Sequence, residues 1–343
     1  MSPRMTHTPN PAAPWTMPPE WAPQDWIWIG FPHDAEEWPG FLGAAQAQIA
    51  AFASAVADSG QRVRLIVRDE ANAARARALC AAAVEIELRV YGDVWLRDTG
   101  PLVLSDGQGG RRAARFGFNG WGGKYVMAGD TEIGGTLAAD AGLAASMADW
   151  VLEGGALDGD GTGRVVTTEQ CLLNPNRNPH LSRADLEARL QRDLGYTQVI
   201  WLGEGLINDH TDGHVDNLAR FVAPGVLAVP RATGADDPNA AIYADARVRA
   251  LAAGLEVRDV PSPGRIARAD SAGKLRIEPA SYMNFAVTSR LVVVPTCGSP
   301  QDAEGVAAIA ALFPDRETVG IRADAVLAGG GSFHCASQQM PAA

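Results

Sequence analysis

Apolar and polar positions follow first the period of a strand and then that of a helix, and this order recurs along most of the chain. Residues 25–30 alternate as a strand does, whereas residues 41–59 carry apolar side chains at helical spacing and end before Gly60, a residue favoured after a helix. The same pattern predicts a strand over 62–67, a helix over 70–82, strands over 85–90 and 198–202, and helices over 181–194 and 301–312. Strands that alternate with helices are typical of an α/β fold.

The densest polar segment of the chain runs from Asn208 to Val222. Its second half tends to alternate, so residues 214–222 are predicted to form a strand that carries His214, Asp216 and Leu218 on one face. A hydrogen-bonded structural loop is the alternative. Two imidazoles and three aspartates within eight residues are nevertheless costly to bury without a function, so we expect a base and a carboxylate to point together into a site.

Three consecutive glycines, residues 329–331, precede Ser-Phe-His-Cys335 near the C-terminus. Glycine lets the backbone approach a ligand closely or adopt positive φ, so this arrangement can present a nucleophile. A thiol with an ordinary pKa of about 8.5 is mostly protonated at neutral pH and needs an imidazole or a cation beside it to react. His334 is too close in sequence to be assumed the base. A small buried hydrophobe is the ordinary alternative for a single cysteine.

Two further acidic residues stand where the chain turns. Asp98 lies in Trp95-Leu-Arg-Asp-Thr-Gly-Pro101, which places an aromatic ring, a cation and a carboxylate before a turn. An ordinary turn aspartate paired with Arg97 is the alternative. Glu153 follows a predicted strand and precedes two glycines, and a glycine-interrupted aromatic loop that contains Trp121 could wall a pocket.

The spacing of the candidate residues indicates a repeat. Asp98, Glu153, His214, Asn284 and Cys335 are separated by 55, 61, 70 and 51 positions. Such spacing predicts a repeated strand–helix unit in which each copy contributes one residue to a central site. The units show little direct sequence similarity, so the repeat is a structural hypothesis.

Composition narrows the class of protein. A net charge of −11 with 47% hydrophobic residues suits a globular protein and disfavours a nucleic acid partner. The four cysteines form neither a CxxC pair nor a dense disulfide framework. The sequence shows no apolar run of about 18 residues and no export signal, so we expect no membrane partner and a cytoplasmic location. Residues 1–16 are predicted to be disordered, and residues 17–343 to form a single catalytic domain.

Six motifs occur in order between about residues 17 and 341: Trp95-Leu-Arg-Asp-Thr-Gly-Pro101, Phe118-Asn-Gly-Trp-Gly-Gly-Lys-Tyr125, Glu153-Gly-Gly155, Thr211-Asp-Gly-His-Val-Asp-Asn217, Ser281-Tyr-Met-Asn-Phe285 and Gly329-Gly-Gly-Ser-Phe-His-Cys335. Together they resemble the agmatine deiminase and bacterial peptidylarginine deiminase family, within the guanidine-modifying pentein superfamily. The resemblance implies a five-bladed α/β propeller of ββαβ-type units around a central pocket, with no metal and no organic cofactor. It also implies hydrolysis of a small-molecule guanidine with release of ammonia.

The resemblance assigns roles that suit the chemistry of a guanidinium. This planar cation spreads its charge over three nitrogens, so opposed carboxylates can hold it by charge-assisted hydrogen bonds, and Asp98 and Asp216 fit that role. Cys335 would attack the central carbon and form a thiouronium intermediate. His214, oriented and charged by Glu153, would protonate the departing ammonia and then activate water. By similarity, Trp95 would lie along the alkyl chain of the substrate and Asn284 would line the pocket. Trp121 of the glycine-interrupted loop is also expected to bind the substrate.

One departure from the family's pattern bears on the substrate. Agmatine deiminases usually have two acidic residues before the threonine of Thr211-Asp-Gly-His, whereas this chain has Asp209-His210. A neutral His210 could accept a hydrogen bond from the far ammonium of agmatine, with Asp209 or Asp212 supplying charge; a protonated His210 would favour a substrate that ends in a carboxylate. Agmatine, hydrolysed to N-carbamoylputrescine and ammonia, is the leading substrate.

Several alternatives stay open at this stage. The same core could act on another small guanidine or on peptidyl-arginine. His210 and His214 have the HxxxH spacing of a metallohydrolase, with neighbouring aspartates as further ligands, although Gly213 and the alternation after it argue against a helix. A propeller used only for binding is disfavoured because every expected catalytic residue is present. Assembly as a homodimer is also left open.

Overall fold

The computed structural model describes residues 15–269 and 273–343, in which strands and helices alternate. The strands are β1 Gln24–Gly30, β2 Val63–Val67, β3 Glu85–Leu88, β4 Leu102–Ser105, β5 Arg111–Gly117, β6 Ala144–Val151, β7 Asp158–Gly159, β8 Arg164–Thr168, β9 Gln198–Leu202, β10 Arg220–Ala223, β11 Val226–Arg231, β12 Glu256–Pro261, β13 Ala267–Ala269, β14 Leu275–Ile277, β15 Ala286–Val287, β16 Leu291–Thr296, β17 Glu317–Arg322 and β18 Ser337–Pro341. The α-helices are α1 Leu42–Asp58, α2 Glu70–Leu79, α3 Leu96–Thr99, α4 Gly120–Gly123, α5 Asp130–Asp140, α6 Glu169–Leu172, α7 Arg183–Leu194, α8 Ala240–Ala252, α9 Asp302–Leu312 and α10 Asp324–Leu327. The predicted α/β class is confirmed.

Helix boundaries fall close to the predicted ones because the capping residues act as the sequence indicates. At the start of α7, the Ser182 hydroxyl accepts a hydrogen bond from the N–H of Asp185, whose carboxylate accepts one from the N–H of Ser182. Gly195 ends this helix with a φ of 80°. The two hydrogen bonds satisfy donors that the first turn of a helix otherwise leaves unpaired.

Five sheets within the described residues are built on one pattern, which one of them extends by a fourth strand. In four of them, two antiparallel strands are followed by a helix and by a third strand parallel to the second: β4-β5-α5-β6, β7-β8-α7-β9, β10-β11-α8-β12 and β15-β16-α9-β17. The remaining sheet has the order β18-β1-β2-β3, in which β18 is the antiparallel partner of β1. Strands β13 and β14 form a separate hairpin.

The pairing of β18 with β1 ties the C-terminal tail to the first sheet. Helix α1 buries Ile49, Phe52 and Val56, which lie on one face because they are three and four residues apart. Phe333 of the tail stacks on Phe52 with ring centroids 4.7 Å apart and is itself fully buried. The core of the first sheet therefore fixes the backbone two residues before Cys335.

Residues 214–222 do not form the single strand predicted for them. Val215–Asn217 is a 3-10 turn, and a strand begins only at Arg220–Ala223. The Thr211 hydroxyl accepts a hydrogen bond from the N–H of His214 at 3.0 Å, and the carbonyl of Val215 accepts from the two N–H groups that follow the turn. Local hydrogen bonds thus replace the strand ladder, as polar side chains near the backbone favour.

The predicted N-terminal disordered segment falls mostly on residues 1–14, which lie outside the described residues. Thr16 exchanges two backbone hydrogen bonds with Ser105, of 3.0 and 2.9 Å.

Across residues 15–269 and 273–343, every helix is too short or too polar to traverse a lipid bilayer.

Candidate active site

Side chains from three separate connections meet around Gly155. A methyl group on this glycine would lie 2.6 Å from Nδ1 of His214, 3.0 Å from Oδ1 of Asp98 and 3.1 Å from Oδ2 of Asp216, too close for a carbon atom. Cys335 joins them from the tail, since its sulfur lies 3.5 Å from Oδ2 of Asp216. The predicted nucleophile, imidazole and two carboxylates are thus brought together in one buried cluster.

Asn284 holds the tail around Cys335. Its side-chain oxygen accepts hydrogen bonds from the backbone N–H groups of His334 at 3.1 Å and Cys335 at 3.2 Å, and its amide donates to the Cys335 sulfur at 3.0 Å. Burial raises the pKa of the Cys335 thiol well above its ordinary value, and the carboxylates of Asp216 and Asp98 raise it further. The free site therefore keeps this cysteine as a neutral thiol.

Two donors fix the carboxylate of Asp98. The indole Nε1 of Trp121 donates to Oδ2 at 2.8 Å, and the backbone N–H of Gly155 donates to Oδ1 at 2.9 Å. Trp121 has a φ of 52°, a left-handed conformation that bulky residues rarely adopt and that the surrounding contacts must stabilise. Burial raises the pKa of Asp98, and repulsion from Asp216 raises it further. The positive charge of His214 and the hydrogen bond from Trp121 act in the opposite direction and lower this pKa.

Asp216 is held by His334, which sequence reasoning did not place in the site. Nδ1 of His334 lies 2.7 Å from Oδ2 of Asp216, and Nε2 lies 2.9 Å from Glu20, which also pairs with the buried Arg220. Burial acts to raise the pKa of Asp216, but the hydrogen bond with His334 and the positive charges of His214 and Arg220 outweigh burial, so the pKa is lowered and the group is ionised. Among the described residues, Oδ1 of Asp216 has no hydrogen-bond partner, which leaves a buried acceptor for a ligand.

His214 is fully buried, and within the described residues neither ring nitrogen has a hydrogen-bond partner. Its Nδ1 lies 3.8 Å from Oδ1 of Asp98. Burial acts to lower the pKa of His214, but Asp98, Cys171 and Glu153 outweigh burial and hold the pKa well above its ordinary value. The imidazole is therefore protonated in the free site and can donate a proton.

Glu153 forms an ion pair with Arg177, a residue that sequence reasoning missed. Oε1 of Glu153 lies 2.6 Å from Nε of Arg177, and both side chains are at most 2% exposed. The Arg177 guanidinium also donates to the carbonyl of Thr211 at 2.8 Å, which anchors the turn that carries His214. Glu153 thus adds negative charge near His214 without a direct hydrogen bond to it, and its predicted orienting role stays a prediction.

One group within residues 15–269 and 273–343 could hold a metal ion. Glu153, Cys171 and His214 each offer a ligand atom, and these atoms lie within 4.8 Å of one another. Thiolate, imidazole and carboxylate are ligands that suit zinc, but Glu153 is already ion-paired with Arg177. The HxxxH pair considered from the sequence is not brought together, since His210 is exposed and His214 is buried.

The cluster opens into a pocket of about 370 Å³. Trp95, Trp121 and Cys335 line its deep part and are at most 5% exposed, whereas Tyr125 and His210 lie at its mouth. The two mouth rings stack with centroids 5.9 Å apart. A methyl group on Gly331 would lie 2.8 Å from the Trp95 ring and 3.0 Å from Cβ of Cys335, which explains the glycine at this position.

The carboxylates beside His210 are already engaged. Asp212 accepts from Lys124 at 2.7 Å and from Arg177 at 2.5 Å, so its charge is neutralised within the protein. Asp209 accepts from the N–H and the hydroxyl of Thr211 at 2.9 and 2.6 Å, and it does not line the pocket. Local hydrogen bonds and ion pairs thus already use both groups, and their expected role in supplying charge for a distal ammonium stays a prediction.

Comparisons with known proteins agree with this arrangement. The family model of the Porphyromonas-type peptidyl-arginine deiminase matches residues 16–341. The agmatine deiminases of Stutzerimonas stutzeri and Pseudomonas putida are 36% and 37% identical to this chain, and each alignment covers 95% of both proteins. The solved structure of the agmatine deiminase of Enterococcus faecalis has a TM-score of 0.89 at 29% identity and covers 96% of each chain. The resemblance carried by the six motifs is confirmed, and the chain belongs to the Porphyromonas-type peptidyl-arginine deiminase family.

Proposed function

We propose that this protein is an agmatine deiminase, which hydrolyses agmatine to N-carbamoylputrescine and ammonia. The observation that carries the proposal is the convergence of a buried thiol, a protonated imidazole and two carboxylates on one pocket. The pocket is walled by Trp95 and Trp121 beside Cys335, and such a mostly apolar cleft with a few polar groups supports a small-molecule substrate. Relatives named agmatine deiminase that align over nearly the whole chain support the same substrate.

The substrate's guanidinium binds between Asp98 and Asp216. Asp98 is oriented by Trp121 and Gly155, and Asp216 has an unpaired buried oxygen, so each can accept N–H donors of the planar cation. The central carbon then faces Cys335, whose sulfur lies beside Asp216. Trp95 lines the same pocket and offers an apolar surface for the alkyl chain.

Substrate binding activates the thiol. Burial and two carboxylates keep Cys335 protonated in the free enzyme. A bound guanidinium neutralises those carboxylates and adds a positive charge beside the sulfur, and both changes lower the pKa of the thiol. The thiol loses its proton to solvent, and the nucleophile forms only where a substrate is present to receive it.

The thiolate adds to the guanidinium carbon and forms a tetrahedral intermediate. His214 donates its proton to an amino nitrogen of this intermediate, ammonia leaves, and a cationic S-alkylthiouronium remains on Cys335. The neutral imidazole then takes a proton from water while the oxygen adds to the same carbon. As the thiolate leaves this second tetrahedral intermediate, the hydroxyl on the carbon loses its proton and the neutral ureido product forms. The Cys335 thiolate then takes up a proton and returns to the neutral thiol of the free enzyme.

We also propose a five-bladed propeller as the architecture of the chain and the cytoplasm as its location. The five sheets that are built on one pattern support a five-bladed propeller within a single catalytic domain. In such an arrangement, the connections at one end of the sheets would surround the central pocket, which accounts for site residues from distant parts of the chain. A cytoplasmic location fits a small metabolite as substrate.

Steady-state kinetics on a panel of guanidines tests the proposal. Agmatine, arginine, 4-guanidinobutyrate and an arginine-containing peptide are compared by kcat/KM for ammonia release. We expect agmatine to lead by at least about tenfold, or about 1.4 kcal/mol of transition-state discrimination. If a carboxylate-bearing guanidine or the peptide leads by that factor, agmatine is not the substrate, although the deiminase chemistry survives.

A further inference from the structure

A charge that recognises the far end of agmatine can come from a part of the chain other than residues 209–212. Agmatine carries a primary ammonium four methylene groups away from its guanidinium. His210 occupies the predicted position, and the carboxylates of Asp209 and Asp212 are engaged within the protein. A desolvated ammonium without an anionic partner would weaken binding, so another group must face it.

Two other carboxylates line the same pocket. Glu37 and Asp93 border the cavity together with Trp95 and Tyr125, and Cys335 lies in the same lining. Asp93 is 4% exposed and accepts a hydrogen bond from the N–H of Val94 at 2.7 Å. Glu37 is half-buried and forms no ion pair with any described residue. Among the described residues, neither carboxylate has an ion-pair partner, so both are available to a cation that enters the pocket.

The position of Glu37 at the rim is fixed by its neighbour in sequence. Trp38 is 2% exposed, and its ring lies 6.1 Å from that of Trp95. The backbone of Gly329 packs closely against Trp38, since a methyl group there would lie 2.5 Å from the indole. The turn that carries Glu37 is therefore packed against the glycine run that precedes the nucleophile.

The electrostatics of the two carboxylates favour a cationic ligand. Burial raises the pKa of Glu37, and the neighbouring Asp34 and Glu36 raise it further. Burial likewise raises the pKa of Asp93, and repulsion from Glu37 adds to the rise, so the two carboxylates are close enough to interact. A cation between them relieves this repulsion and lowers the cost of keeping both ionised.

We propose that Glu37, with Asp93 beside it, binds the primary ammonium of the substrate and so determines specificity for a guanidine with a cationic tail. This inference rests on the proposed function. The guanidinium lies beside Asp98 and Cys335, the alkyl chain passes Trp95, and the ammonium reaches Glu37 and Asp93. His210 stacks on Tyr125 across the mouth and serves as a wall there.

The test compares wild-type enzyme with Glu37→Gln on three substrates: agmatine, n-butylguanidine and 4-guanidinobutyrate. n-Butylguanidine keeps the guanidinium and the four-carbon chain but lacks the ammonium. We expect Glu37→Gln to lower kcat/KM for agmatine at least tenfold, mainly through KM. The value of kcat/KM for n-butylguanidine should stay within twofold of wild type. The value for 4-guanidinobutyrate should rise, because a carboxylate that repels the carboxylate of this substrate has been removed.

Two further variants test whether the change in substrate preference depends on the charge of Glu37 itself. Glu36→Gln is the matched control, since Glu36 is the exposed neighbour with the same side chain and does not line the pocket. This variant should keep kcat/KM for each of the three substrates within twofold of the wild-type value. Glu37→Lys should reverse the order of preference between agmatine and 4-guanidinobutyrate, with an unchanged melting temperature.

The outcomes separate this inference from the proposed function. If wild-type enzyme prefers agmatine over n-butylguanidine by tenfold or more and Glu37→Gln keeps that preference, another group binds the ammonium and the inference is overturned. If wild-type enzyme uses the two substrates equally well, the ammonium is not recognised, and the agmatine assignment fails together with the inference.

Discussion

Replacing Trp121 by Phe tests the hydrogen bond that holds Asp98 ready for the substrate. The indole Nε1 donates to Oδ2 of Asp98 at 2.8 Å inside the buried cluster, and Trp121 is 4% exposed, so no solvent replaces the donor freely. A hydrogen bond to a charged group contributes about 1.5–3 kcal/mol. We therefore expect Trp121→Phe to lower kcat/KM by roughly 10- to 100-fold, given about 1.4 kcal/mol per tenfold change.

The pH profile identifies the cause of that loss. The Trp121 hydrogen bond stabilises the ionised form of Asp98 and so opposes the rise in its pKa that burial causes. Its removal raises the pKa further, so the acid limb of kcat/KM moves to higher pH. The shift is about one to two pH units if the whole hydrogen-bond energy is expressed, since one unit corresponds to about 1.36 kcal/mol.

Trp201→Phe is the matched control. Its indole donates to the Glu187 carboxylate at 2.8 Å, and Trp201 does not line the pocket, so this variant loses a similar hydrogen bond away from the chemistry. It should keep wild-type kcat/KM and the wild-type acid limb. If Trp121→Phe is folded and shows an unshifted acid limb with unchanged kcat/KM, Asp98 does not depend on Trp121 and the reasoning is wrong.

Two remaining predictions concern the space in the cluster and the absence of a metal requirement. Gly155→Ala should lower kcat at least 100-fold, measured by ammonia release, because the methyl group would displace His214, Asp98 or Asp216; wild-type turnover in a folded variant would contradict the geometry. Dialysis against a chelator should leave kcat unchanged, because Glu153, one member of the group that could bind a metal, is already ion-paired with Arg177. Activity that is lost to the chelator and restored by zinc would favour a metallohydrolase instead.

Residues whose chemistry coincides with a local turn could be identified from the sequence. Cys335 after three glycines and Glu153 before two glycines could be singled out because glycine permits the close packing that the structure shows at Gly155 and Gly331. The alternating α/β pattern followed from periodicity, since the strands and helices bury one face each. These signals lie within a few residues of one another in the sequence.

The sequence did not reveal interactions that depend on closure of the fold. Glu20 pairs with Arg220 across 200 positions, and Glu20 reaches His334 only because the C-terminal strand pairs with the first one. The strand predicted from His214 onward was wrong because the Thr211 side chain bonds to the backbone and favours a turn over a ladder. The alternation of apolar and polar residues carries no information about a hydrogen bond between a side chain and the backbone.

The most direct test of the account is the covalent intermediate on Cys335. Wild-type enzyme is mixed with agmatine, quenched in acid at short times and analysed by mass spectrometry of the intact protein and its peptides. We predict an adduct with the mass of agmatine less ammonia on the peptide that contains Cys335, and neither the adduct nor turnover in Cys335→Ser, with Cys80→Ser as the unaffected control. Turnover by Cys335→Ser, with no adduct on the wild-type enzyme at any quench time, would contradict the central claim.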